Sequence, residues 1–363
     1  MRKKYSRVLI RRLRSGRPLR AFRQAVNALA VIGSAWRGRT FCAPISATLA
    51  LTYRCTQRCA MCNFPQRVRR GAEEIPGERA KEIIGELARM GAYGVSFYGG
   101  EPLLRSDIVE LAAVAHRAGL TVHIPTNGML LTDSVARALV EAGVDLITLS
   151  MDGATPEMHD RQRGVPGAFA RLGEAVRNVL SARRLLGRGC HCALAATLTE
   201  GNVDDVAGIV NAARRLGADT LSVFEAQDLG GLSQPSAAER AASLLRANER
   251  LREEKMRLPD FIDNSEAYLD YCRRLFSGER PVLRCFAPYT DIFIDAYEDV
   301  YACNYFFGMA QPVGNLGGGS VREFWRSTAY DSARRELKGC AACNYMCHRE
   351  LSLMFNRASP SAV

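Results

Sequence analysis

Four times between residues 46 and 226 an amphipathic stretch ends on a glycine, and a β-rich run begins two or three residues later. The glycines are Gly91, Gly119, Gly143 and Gly217, each standing where a helix C-terminus calls for a left-handed residue. Apolar residues at helical spacing predict helices over Glu78 to Met90, Ser106 to Ala118, Ser134 to Ala142, Phe169 to Leu186 and Val203 to Leu216. The runs between them predict six strands: Ile45 to Tyr53, Gly94 to Tyr98, Thr121 to Pro125, Leu146 to Met151, His191 to Leu198 and Thr220 to Glu225. Such alternation builds βα units and a parallel sheet. Six units fall short of the eight of a closed barrel. The expected fold class is therefore α/β, a partial (β/α)6 TIM-like barrel, with its chemistry on the loops after the C-terminal ends of the strands.

The twelve cysteines gather in two groups, Cys55, Cys59 and Cys62 early and Cys285, Cys303, Cys340, Cys343 and Cys347 late, with Cys42, Cys190, Cys192 and Cys272 apart. In a chain of 363 residues with no convincing secretory signal, that grouping reads as metal binding in a reducing, cytoplasmic setting rather than as a disulfide framework. The early group sits on one loop directly after the first predicted strand. Three thiolates hold three irons of a cubane, whereas cluster ligation by cysteine normally takes four. One iron is left for an outside ligand carrying an amine and a carboxylate. A structural zinc loop is the competing reading, and it would want a fourth protein ligand.

At Cys55-Thr56-Gln57-Arg58-Cys59-Ala60-Met61-Cys62 the sequence resembles the radical S-adenosylmethionine superfamily, whose signature is Cys, three residues, Cys, two residues, Cys after the first barrel strand. Met61 stands where the family usually has an aromatic residue. Gly99-Gly100-Glu101-Pro102 after the second strand resembles the family's grip on the methionine amino group, with Glu101 as carboxylate acceptor. Ser150-Met151-Asp152-Gly153 is similar to its ribose-contacting stretch; Asn127 closes the third strand, and Arg163-Gly164 falls in a loop often placed near the cofactor. The resemblance implies a [4Fe-4S] cluster on Cys55, Cys59 and Cys62 and S-adenosylmethionine held by Gly99, Gly100, Glu101, Pro102, Asn127, Ser150, Asp152 and Arg163. It also implies reductive cleavage of that cofactor to a 5′-deoxyadenosyl radical, which takes a hydrogen atom from a substrate. Flavodoxin or ferredoxin is the implied electron donor. No substrate-side acid, base or hydrogen donor is legible.

Residues 234–284 read as a helical linker broken at Pro259, and residues 285–350 as a small cysteine-rich C-terminal domain. Within it, Thr290 to Asp295 and Val300 to Cys303 read as a hairpin, and Gly314 to Gly319 as a loop. Cys285, Cys303, Cys340 and Cys343 suffice for a full cluster, with Cys347 as a substitute ligand or a free thiol. The layout resembles the auxiliary-cluster extensions called SPASM and twitch, closer to the shorter twitch type, and implies an auxiliary [4Fe-4S] cluster. Zinc on the same thiols is the competing reading. Tyr297-Glu298-Asp299 stands where that family's hairpin usually has a glycine. Cys190 and Cys192, on a predicted strand, read as core. The division expected is a basic arm over 1–44, the barrel over 45–233, the linker, the cysteine-rich domain and a tail over 351–363.

A net charge of +11 is concentrated at the N-terminus, since the first acidic residue is Glu73. After the basic run comes an apolar stretch, Ala25 to Trp36, too short to span a bilayer, which takes about 20 apolar residues. Two readings stand: an interfacial helix giving peripheral membrane association through residues 1–40, or a basic helix packed on the catalytic domain. Nucleic acid is not an expected partner. For the substrate, too few residues precede the first strand for a peptide-binding domain, so a small-molecule or lipid-like metabolite is the first expectation. A peptide, modified by a RiPP or protein-maturase type of reaction, is the alternative. The contrasting class is a non-catalytic zinc protein that binds nucleic acid or membrane.

Overall fold

The computed structural model describes residues 18–226, 237–340, 343 and 345–357. The basic run before Pro18, the expected boundary at 233/234 and the last residues of the tail lie outside these. Helix α1 (Pro18–Arg37) leads into strand β1 (Ser46–Thr52). Five helix-strand repeats follow: α2 (Gly77–Met90) and β2 (Gly94–Gly99), α3 (Ile108–Arg117) and β3 (Thr121–Thr126), α4 (Asp133–Glu141) and β4 (Leu146–Ser150). Next come α5 (Pro156–Arg163) and α6 (Ala168–Leu185) before β5 (His191–Leu198), then α7 (Val206–Leu216) and β6 (Thr220–Glu225). The expected strands are thus met to within about a residue at each end, and Gly91, Gly119, Gly143 and Gly217 all take positive φ.

β1 to β6 lie parallel in sequential order, as the partial barrel requires. Alternation along each strand sorts the sheet's two faces. Val95, Phe97, Val122, Ile124, Ile147, Leu149, Cys192 and Leu194 are at most 2% exposed and join the helices in the main core. Cys190 and Cys192 are accordingly core residues. The opposite, concave face carries small or polar half-buried side chains, among them Ser96, His123, Thr148 and Thr197. His123 links them, with Nδ1 3.1 Å from Ser96 Oγ and Nε2 3.0 Å from Thr148 Oγ1. An open barrel thereby gains a polar-lined lumen backed by an apolar wall.

Both edges of this sheet are covered, as exposed edge strands must be if a sheet is not to pair with its neighbours. At β6, Ile262 bridges Leu221, Asp263 N donates to Leu221 O (2.8 Å), and the Asn264 side chain pairs with the N and O of Val223 (3.0 and 2.6 Å). These residues lie between α8 (Ala237–Arg257) and α9 (Glu266–Phe276), so the expected linker also seals the barrel. At β1 the partner is β7 (Asp291–Ile294), parallel, with Ser46 opposite Asp291 and Thr48 opposite Phe293. β8 (Asp299–Tyr301) and β9 (Gly314–Asn315) extend the sheet antiparallel, so part of the expected Gly314 to Gly319 loop is strand.

The hairpin turn without a glycine is solved by Glu298, at φ 63. Asp295 Oδ1 accepts from both Tyr297 N and Asp299 N at 2.9 Å, fixing the turn, and the Glu298 carboxylate reaches Arg79 at 3.0 Å. After the short helices Asn304–Gly308 and Val321–Trp325, α10 (Thr328–Glu336) and α11 (Met346–Arg357) pack the chain's end back on the barrel. Glu350 of α11 accepts from Ser265 N at 2.8 Å.

Candidate functional site

Cys55, Cys59 and Cys62 occupy one loop at the C-terminal mouth of β1, where the fold concentrates chemistry. Two neighbours hold that loop. From one side, Arg58 N and Ala60 N donate to the carbonyls of Arg163 and Gln162, both at 3.2 Å. Gly164 makes this possible: its φ is +66, and a Cβ there would stand 2.4 Å from Arg58 O. From the other side comes the turn after β2. Gly100 N donates to Thr52 O (2.8 Å) and Glu101 N to Arg54 O (2.9 Å). A Cβ on Gly99 would lie 2.1 Å from Thr52 O, and one on Gly100 2.2 Å from Arg54 O. What these glycines admit so closely is therefore the backbone leading into the thiol loop itself.

Around the sulfurs the side chains present donors. Asn127 Nδ2 is 3.6 Å from Cys55 Sγ and 3.0 Å from Thr56 Oγ1, and Arg163 Nη1 is 3.6 Å from Cys59 Sγ. Burial pushes the Cys55 thiol up and Cys62 up to about 11, and in each case the neighbouring cysteines of the loop add to the rise. Among the described residues, the buried Gln57 Nε2 and Arg163 Nε have no acceptor in the protein. Unspent buried donors beside these thiols suit an anionic iron-sulfur group.

The structure turns two expected cofactor contacts inward. Glu101 is fully buried, and its carboxylate accepts from Thr126 Oγ1 (2.7 Å), Asn127 N (2.8 Å) and Leu103 N (3.1 Å). Rather than standing open as an acceptor, it ties the ends of β2 and β3 together and thereby orients Asn127. Asp152 is also fully buried. One oxygen accepts from Thr197 N (2.7 Å) and the other pairs with Arg163 Nη2 (2.6 Å), so it aims Arg163 at Cys59 instead of facing the lumen. Ser150, half-buried at the end of β4, stays on the lumen face, and Pro102 is buried beneath the turn.

His159, on the helix after β4, is a site residue that sequence reading missed. It is fully buried, accepts from Asp152 N through Nδ1 (3.1 Å), and leaves Nε2 without a partner among the described residues. Burial first, then the charge of Arg163, push it down to about 3, so it stays neutral beside that pair. Its only signal was its position seven residues after Asp152, too weak to single out a histidine.

Cys285, Cys303, Cys340 and Cys343 line one cavity together with His348 and Arg349. Burial pushes Cys285 and Cys303 up and Cys343 up to about 11. Arg349 is 1% exposed beside them and donates through Nε to Cys343 O (2.9 Å). Cys347 is not on that wall. It is exposed and takes a contact from Asn304 Nδ2 at 3.2 Å. Between the two thiol groups stands an aromatic cluster in which Tyr98, Phe64 and Phe293 pack round Phe307.

The model of the Radical SAM superfamily matches residues 49–220, and that of an iron-sulfur cluster-binding domain, SPASM, matches residues 285–347. A PqqA peptide cyclase of Ruegeria pomeroyi is 35% identical over 196 residues, covering 54% of this chain and 51% of that protein, so the chain spans about half the length of this relative. An AdoMet-dependent heme synthase of Methanosarcina barkeri is 28% identical over 320 residues, covering 84% and 89%. SuiB of Streptococcus suis, in its crystal structure with S-adenosylmethionine, superposes with a TM-score of 0.64 at 19% identity, over 80% of this chain and 68% of that one. That likeness is one of fold. The two family models fall on the strands bearing the first thiol loop and on the segment lining the second thiol cavity, so the chain carries a domain of the radical SAM superfamily and a SPASM iron-sulfur cluster-binding domain.

Proposed function

We propose that Cys55, Cys59 and Cys62 hold the catalytic [4Fe-4S] cluster, that S-adenosylmethionine lies over the lumen beside them, and that the substrate is a peptide. The carrying observation is the thiol loop itself, clamped between the Gly99-Gly100 turn and Arg163 above a polar concave face. A cluster held by Cys55, Cys59 and Cys62 would supply one-electron reduction of the sulfonium cofactor, with flavodoxin or ferredoxin as the electron donor. The protein's part is binding, orientation and exclusion of water. Asn127 and Arg163 donate toward sulfur, Glu101 holds the Asn127 backbone and Asp152 the Arg163 side chain, and Ser150 faces the cofactor space. Cys285, Cys303, Cys340 and Cys343 hold the auxiliary cluster, and Cys347 stands outside the cavity they line.

A peptide substrate replaces the small-molecule or lipid-like one as the first reading, because the relatives by sequence include peptide cyclases and SuiB has been crystallised with its precursor peptide. The heme synthase, which aligns over more of both chains, supports a haem-type small molecule as the second reading. Extract from cells grown in deuterated medium, separated by size and split into protease-treated and untreated halves, distinguishes them. A peptide substrate predicts deuterium in 5′-deoxyadenosine from the larger fraction, abolished by protease. Label from a small, protease-resistant fraction would overturn it.

A further inference from the structure

Helix α1 presents two unlike faces. Val31 and Ala35 are at most 2% exposed and pack with Phe286, Tyr289 and Cys42. The Asn27 side chain pairs with the N and O of Ala43 (2.7 and 2.9 Å), and Ser34 Oγ, itself bonded to Ala30 O, accepts from Phe41 N (2.8 Å). These contacts fix the helix on the body of the enzyme. On the opposite face Val26, Leu29 and Trp36 follow one another at helical spacing and are 48, 71 and 47% exposed, and Phe41 beyond the helix is 57% exposed. Three large apolar side chains left in water along one side of a firmly docked helix, with Phe41 beyond its end, invite an apolar phase.

Around them the charge is of one sign. The Arg284 guanidinium lies 5.0 Å from the Trp36 ring and that of Arg37 5.8 Å from the Phe41 ring, and Arg39 is exposed beside them. In sequence the helix is preceded by a basic run from Arg2, and no acidic residue occurs before Glu73. Among the described residues no helix is long and apolar enough to cross a membrane. We infer that this face of α1 lies in the interface of an anionic lipid bilayer, with Leu29, Trp36 and Phe41 entering the acyl boundary and the arginines at the headgroups. One side of the helix is packed and the other exposed, so the packed reading of the N-terminal stretch leaves room for the interfacial one.

Co-sedimentation of the full chain with vesicles tests this, using phosphatidylcholine alone and phosphatidylcholine mixed with phosphatidylglycerol. The expected result is partition to the anionic vesicles, weakened about tenfold or more by Leu29→Glu, the equivalent of about 1.4 kcal/mol. Iron content and S-adenosylmethionine cleavage stay unchanged, because Leu29 lies outside the thiol sites. Equal sedimentation of Leu29→Glu and the parent chain would overturn the assignment, leaving the basic run alone to bind lipid. So would a concentration-dependent dimer, seen by light scattering and dispersed by Leu29→Glu, since the face would then belong to a second copy.

Discussion

Gly164→Ala separates the geometry of the thiol loop from mere stability. A Cβ at this position stands 2.4 Å from Arg58 O and 3.1 Å from Arg58 C. An ordinary C···O approach is about 3.3 Å, so the loop must retreat by roughly 0.9 Å. Arg58 adjoins Cys59, and the two backbone bonds from Arg58 and Ala60 cross the same contact. The substitution also forces an alanine to φ +66, worth about 1–2 kcal/mol. Gly167→Ala isolates that second effect, for Gly167 has φ +80 and nothing within 4 Å of its missing Cβ. Both variants are expected to lose a few degrees of thermal stability, at about 2–4 °C per kcal/mol. Only Gly164→Ala displaces a cluster ligand, and a misplacement on the order of 1 Å costs about 10²-fold in rate. The assay is anaerobic 5′-deoxyadenosine formation on a dithionite-reduced sample, with iron content and thermal unfolding measured on the same preparation. Matching turnover in the two alanine variants would refute the claim that close packing at Gly164 sets the position of the thiols.

Further expectations concern the buried groups around the site. Asp152→Asn leaves the Arg163 charge unpaired in the interior and should destabilise the fold by about 3–5 kcal/mol in chemical denaturation; a loss under about 1 kcal/mol would show the pair to be dispensable. His159 is held neutral when folded and accepts a proton when unfolded, so below its ordinary pKa of about 6.5 the unfolded state binds more protons. Stability should fall on acidification from about pH 6.5 by up to about 1.4 kcal/mol per pH unit, and His159→Gln should flatten that slope; an unchanged slope would place the titration elsewhere. Cys303→Ala should remove the auxiliary iron, about half the total, while 5′-deoxyadenosine still forms; retention of all the iron would show that this thiol is not a ligand.

Much of the scaffold was legible because its signals are local. A glycine ends a helix and a strand restarts the period, and the three early cysteines share one loop. What the sequence concealed depends on distant pairing or on the direction of a side chain. Ser46 meets Asp291 across 245 positions, so nothing in the periodicity of either segment told that the cysteine-rich part continues the barrel sheet. Glu101 and Asp152 were found as residues but not in their orientation, because a motif names a carboxylate without saying which donors surround it. The turn at Glu298 was in doubt for a similar reason: the left-handed residue is held there by the Asp295 carboxylate, which a search for glycine does not see.

The most direct test of the central claim compares the parent chain with Cys59→Ala after anaerobic purification, reduction and addition of S-adenosylmethionine. The parent chain should carry about eight irons and release methionine with 5′-deoxyadenosine; Cys59→Ala should keep about four irons and release neither. Continued cleavage by that variant, or zinc in place of iron in the parent chain, would contradict an account built on three thiols and an open iron.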